Sequence, residues 1–170
     1  MNLQTRNQAV IKTLRGLLAG LCLAALVTAH AGDFTVKDLQ GSTHRLADYR
    51  CKWVLVNFWG TWCSPCLSEL PELSSLHDAH QDLVVIGVAM QSGSSAKVAD
   101  FVAAHRITYP IVMGTYAIAD QIGNAAGQTE GLEVLPTSLL FGPNGELVYE
   151  QAGKVARKTI EKFMKGKTSN

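Results

Sequence analysis

From Trp53 to Trp59 the chain reads Trp-Val-Leu-Val-Asn-Phe-Trp, apolar at all but one position. A run of that length predicts a strand covered on both faces, in the middle of a sheet. Leu67, Leu70, Leu73 and Leu76 then recur every third residue and predict a helix with one apolar stripe, kinked at Pro71. Leu83 to Met90 predicts a second buried strand, and Val98, Phe101, Val102 and His105 mark the amphipathic helix after it. That succession is a βαβ crossover. Pro110 to Met113 reads as a short third strand. Thr137 to Phe141 and Glu146 to Gln151 flank the turn Pro143-Asn144-Gly145 and predict an antiparallel hairpin. A last helix runs from about Ala156 to Met164, with Ile160, Phe163 and Met164 as its apolar face. The order β-α-β-α-β-β-α specifies an α/β domain whose mixed sheet carries helices on both faces. Only the Gly- and Ala-rich stretch from Gly114 to Gly131 gives no pattern to assign.

The first thirty residues follow a different rule. Arg6, Lys12 and Arg15 precede an apolar stretch from Leu17 to Val27 and then Ala29-His30-Ala31, a small-x-small cleavage pattern. Residues 1 to 31 are read as a secretory signal peptide, with an uncleaved N-terminal anchor as the alternative, and 32 to 170 as one domain. Cys22 goes with the signal; Leu21 before it is not the small residue of a lipoprotein signal. Losing the leader leaves 12 Lys plus Arg against 14 Asp plus Glu, so the mature chain is slightly acidic and nucleic acid is no expected partner. About 139 residues suffice for a single core, and the chain is read as a monomer.

Trp62-Cys63-Ser64-Pro65-Cys66 carries the chemistry. It follows the buried strand and opens the helical pattern, where unsatisfied N–H groups and the helix dipole favour a thiolate. Cys63 is therefore the expected reactive cysteine. Two residues three apart on a helix rise by about 4.5 Å, which brings their Cα atoms within the range of a disulfide. Pro65 in the first turn sacrifices no helix hydrogen bond.

The motifs Val54-Leu-Val-Asn-Phe-Trp-Gly-Thr-Trp-Cys-Ser-Pro-Cys66, Glu69-Leu-Pro71 and Leu135-Pro136-Thr137 together resemble the TlpA-like, ResA and DsbE type, thiol-disulfide oxidoreductases of the thioredoxin fold, from about Phe34 to Met164. The resemblance implies that Pro136 is cis and lies against the cysteine pair, and that the backbone at Leu135 pairs with an extended target. It also implies that Glu69 is the active-site acid exchanging a proton with Cys66. The bland alternative for Glu69 is a solvated first-turn carboxylate. Asn57 stands where cytosolic thioredoxins carry a buried acid. Trp62 shapes the surface around the nucleophile, while Trp59 packs beneath it and Thr61 is a turn residue. No cofactor is implied. The expected partners are oxidised exported proteins, such as apocytochromes c, and a membrane electron donor of DsbD or CcdA type. The expected location is the periplasm, and the direction reduction; an oxidase or isomerase of the same fold is the alternative. The stretch from Gly114 to Gly131 is longer than this family leads one to expect and is assigned to partner selection.

Metal binding is the rival from another class. Cys63-x2-Cys66 with His77-x2-His80 contains zinc-type ligands, but the histidine pair is one residue short and lies two to four turns further along the same helix. Copper delivery in this fold needs a Cys-x3-Cys spacing. A noncatalytic binding module would not need both cysteines. Cys51, the odd thiol of the mature chain, is read as a small buried hydrophobe, with intermolecular pairing as the alternative.

Overall fold

The central strand, β3 (Trp53–Trp59), is buried at every residue and divides the core by alternation. Trp53, Leu55 and Trp59 face one apolar cluster, and Val54, Val56 and Phe58 face the other. The computed structural model of the chain describes residues 32–127, 132 and 134–167; the signal-peptide assignment for 1 to 31 lies outside them. β1 (Thr35–Lys37) and β2 (Thr43–Arg45) form a small antiparallel hairpin, followed by a 3-10 turn over Leu46–Tyr49. After β3 come α1 (Ser64–Leu67), α2 (Leu70–Ala79), β4 (Leu83–Met90), α3 (Ser95–Ala104), β5 (Ile111–Gly114) and α4 (Tyr116–Ala125). The hairpin β6 (Thr137–Phe141) and β7 (Leu147–Ala152) and the helix α5 (Arg157–Lys167) complete the described elements.

The five-stranded sheet has the order β5-β4-β3-β6-β7. β3, β4 and β5 run parallel, and β6 and β7 are antiparallel additions, which gives the mixed sheet expected of a thioredoxin fold. Leucines of α2 and Ile160 and Met164 of α5 cover the face of Trp59; Ala119, Ile122 and Ala125 of α4, with Phe34 and Val36, cover the other.

Three expectations change. The helix after the cysteines is two helices: α1 ends after one turn, Ser68 and Glu69 separate it from α2, and Pro71 lies in the first turn of α2 and kinks nothing. Proline is tolerated at that position because the N–H it lacks has no intrahelical acceptor. The stretch from 114 holds α4, begun by Thr115, whose hydroxyl accepts from the Ile118 N–H at 3.2 Å; residues 128–131 lie outside the described ones. Cys51 is exposed, not buried. It sits in the turn before β3 at φ 68°, where the Lys52 N–H reaches the Tyr49 carbonyl, and the left-handed backbone turns its side chain away from the core.

Candidate active site

Cys63 and Cys66 form a disulfide with their Cα atoms 5.3 Å apart. Cys63 is the N-cap of α1 in extended backbone and keeps 5% of its surface, whereas Cys66 has none. The loop between β3 and α1 is held from both sides: the Cys63 N–H donates to the Gly60 carbonyl at 3.0 Å and the Thr61 N–H to the Ser92 hydroxyl at 3.1 Å. The helix that Cys63 caps is only four residues long, so its macrodipole is small, and Pro65 in its first turn has no N–H to offer.

A polar cluster lies within the core. Asn57 belongs to the odd-numbered set of β3 and so points to the face that also holds Cys66. Its amide donates to Glu69 Oε1 at 2.9 Å and to the hydroxyl of Ser138, its cross-strand partner on β6, at 3.0 Å. The other carboxyl oxygen of Glu69 accepts the Val155 N–H at 3.0 Å. Asn57, Glu69 and Ser138 are all fully buried. Burial pushes the Glu69 carboxyl above the ordinary glutamate range, against the pull of the two N–H donors and of Lys154. Tyr109 is likewise pushed far above the usual phenol range by burial and by the charge of Glu69. Gly87 makes room here: a Cβ on it would lie 2.9 Å from the Tyr109 ring and 3.0 Å from Trp59 Nε1.

An open cleft of about 650 Å³ reaches the residue that precedes Cys63. Trp62, the residue before Cys63, and Leu135, the residue before Pro136, both line it. The Leu135-Pro136 peptide bond is cis.

The model of the AhpC/TSA family matches residues 27–150, well over half of the chain. The chain belongs to the AhpC/TSA family. Within it, the thiol-disulfide oxidoreductase ResA of Geobacillus thermodenitrificans is 36% identical over 142 residues, which cover 83% of this chain and 78% of that protein. Among solved structures, a DsbF homologue from Corynebacterium diphtheriae matches with a TM-score of 0.70 at 26% identity, over 80% of this chain and 85% of its own. The pneumococcal exposed lipoprotein thioredoxin of Streptococcus pneumoniae matches with a TM-score of 0.64 at 25% identity, over 79% and 99%. This AhpC/TSA-family chain is thus a thiol-disulfide oxidoreductase of thioredoxin fold with a Cys63–Cys66 pair.

Within this oxidoreductase, Trp62 and Leu135 meet in one cleft, and Glu69 is a buried group, not the solvated first-turn carboxylate of the bland alternative. Glu69 is the N-cap of α2, yet its side chain makes no capping bond; it turns inward to Asn57 and Val155. Trp59 is fully buried against Phe101. His77 and His80 are engaged elsewhere. His77 Nδ1 accepts the Val85 N–H at 3.3 Å, and burial lowers its basicity, while His80 lies 3.3 Å from Glu161. Among the described residues no three His, Cys, Asp or Glu side chains group as metal ligands. Sequence reasoning missed Ser138, Gly87 and Tyr109. The available signals were a serine and a glycine interrupting apolar strands.

Proposed function

We propose that the protein is an exported reductase of disulfides in other exported proteins, working by dithiol-disulfide exchange. The observation that carries this is the asymmetry of the pair: Cys63 keeps some surface and follows Trp62, which lines an open cleft, whereas Cys66 is sealed in the core three residues before the buried Glu69. In the reduced protein the Cys63 thiolate attacks one sulfur of a target disulfide. The target S–S bond breaks, a mixed disulfide forms, and the displaced target thiolate takes a proton from water. Cys66 gives its proton to Glu69 and its thiolate attacks the Cys63 sulfur; the second target sulfur leaves as a thiolate that takes a proton from water, and the Cys63–Cys66 bond remains. Two electrons pass to the target. A membrane dithiol carrier of DsbD or CcdA type returns them.

Glu69 suits the proton step because its raised affinity brings it nearer to that of a thiol. Leu135 and cis Pro136 offer the target a backbone edge beside Trp62. The basic and apolar start of the chain, with Ala29-His30-Ala31, supports export to the periplasm, cleaved or anchored. Among the described residues no helix is long and apolar enough to cross a membrane. Relatives named thiol-disulfide oxidoreductase ResA support the exchange reaction, and the family resemblance favours reduction, with apocytochromes c as the target class. Equilibration of the Cys63–Cys66 couple with a glutathione or dithiothreitol buffer tests the direction. The expected potential lies below about −200 mV, and one near −120 mV would make the protein an oxidase.

A further inference from the structure

Three large apolar side chains stand exposed among the described residues: Trp62 at 61%, Tyr116 at 73% and Val134 at 54%. All three line the open cleft. Single exposed apolar side chains are ordinary, but a cluster around one concavity marks an interaction surface. The cleft is also preorganised. The Gln91 carbonyl accepts the Trp62 indole N–H at 3.2 Å, and the Gln91 side-chain amide donates to the Tyr116 hydroxyl at 3.0 Å. Gln91 does this at φ 47°, a left-handed backbone that a non-glycine residue adopts at a cost. The bend lets one residue tie the ring before the nucleophile to the first turn of α4. Gly114 lets Met90, another lining residue, pack close: a Cβ there would lie 2.4 Å from the Met90 sulfur.

Charge and backbone add two further restrictions. Asp120 is four residues after Tyr116 and therefore on the same face of α4, and among the described residues it is the one charged side chain in the lining. It has no ion pair among the described residues. The Leu135 N–H and C=O likewise make no hydrogen bond among the described residues, and this leaves an edge for an extended strand.

We propose that Tyr116 and Asp120 determine target specificity: the cleft takes an extended segment whose cysteine is flanked by a bulky apolar side chain, seated between Trp62 and Tyr116, and by a basic side chain, paired with Asp120. This rests on the exchange reaction proposed above and names its substrate class. The test uses the reduced full-length protein and three cyclic disulfide peptides that differ only in two flanking residues, Phe with Lys, Phe with Glu, and Ala with Lys. The rate of peptide thiol release is read for each. The Phe and Lys peptide is expected to react about five-fold faster than the Ala and Lys peptide and about three-fold faster than the Phe and Glu peptide. Asp120→Lys is expected to invert the second ratio, and Tyr116→Ala to bring the first close to one; ratios within one variant are insensitive to any loss of folded protein. High salt is expected to shrink the charge preference in the unmodified chain. Equal rates for the three peptides, or a charge preference unchanged by Asp120→Lys, would overturn the inference while leaving the exchange reaction standing. No reduction of any peptide would remove the exchange reaction itself.

Discussion

Two regions meet at the Cys63–Cys66 disulfide, and each inverts the usual rule of burial. In the first, a carboxyl, an amide and a hydroxyl, those of Glu69, Asn57 and Ser138, are sealed from solvent. In the second, Trp62, Tyr116 and Val134 hold large apolar surface in water. Buried polar groups cost stability unless each is bonded, and exposed apolar clusters invite unwanted association. The fold needs neither. In the proposed function their occurrence on either side of one reactive bond divides the labour: the interior would handle the proton, and the surface the target.

That division is broken most severely by Asn57→Leu, which keeps the branched side-chain shape and strips Glu69 Oε1 and Ser138 of their shared donor. Denaturant unfolding of the oxidised protein should register a loss of about 3 kcal/mol. A change below 1 kcal/mol would mean that the cluster carries no structural weight. Glu69→Gln separates proton chemistry from packing. In the unmodified chain Glu69 is held more protonated folded than unfolded, so its contribution to stability is full below its unfolded-state value and lost as the pH rises through its folded one. The amide should abolish that pH dependence. It should also remove the rise in exchange rate as Glu69 deprotonates, with the rate above that range reduced about ten- to a hundred-fold. An unaltered pH profile would take the acid's role away from Glu69. Trp62→Ala, on the other side, should slow exchange with protein targets yet move unfolding by less than about 0.5 kcal/mol.

The two regions were not equally legible in the sequence. The apolar runs of β3 and β4 and the turn at Pro143-Asn144-Gly145 announced the sheet, and the spacing of Cys63 and Cys66 allowed the disulfide. Glu69 was legible through its place after Cys66. Its partners were not: Asn57 is 12 residues away and Val155 is 86, and only the register of β3 against β6 sets Ser138 beside Asn57. The cleft was half visible. Trp62 and Leu135 adjoin readable motifs, but Tyr116 and Asp120 belong to α4, whose apolar stripe is diluted by Ala119, Gly123 and Ala125. The hydroxyl of Thr115 capping Ile118 was the overlooked start. Cys51 failed for a different reason, since nothing in the polarity pattern foretells a left-handed turn.

Cys51 also gives the smallest effect and the control for both regions. Cys51→Gly relieves a positive φ at an exposed position and should raise stability by about 0.5 kcal/mol in thermal unfolding, with exchange unchanged.

The most direct measurement is the capture of reaction intermediates by Cys66→Ala. Incubated with oxidised exported proteins and resolved under non-reducing conditions, this variant should accumulate mixed disulfides through Cys63, identified by mass spectrometry, while Cys63→Ala accumulates none. Adducts through Cys66 in the Cys63→Ala protein, with none through Cys63, would contradict the account.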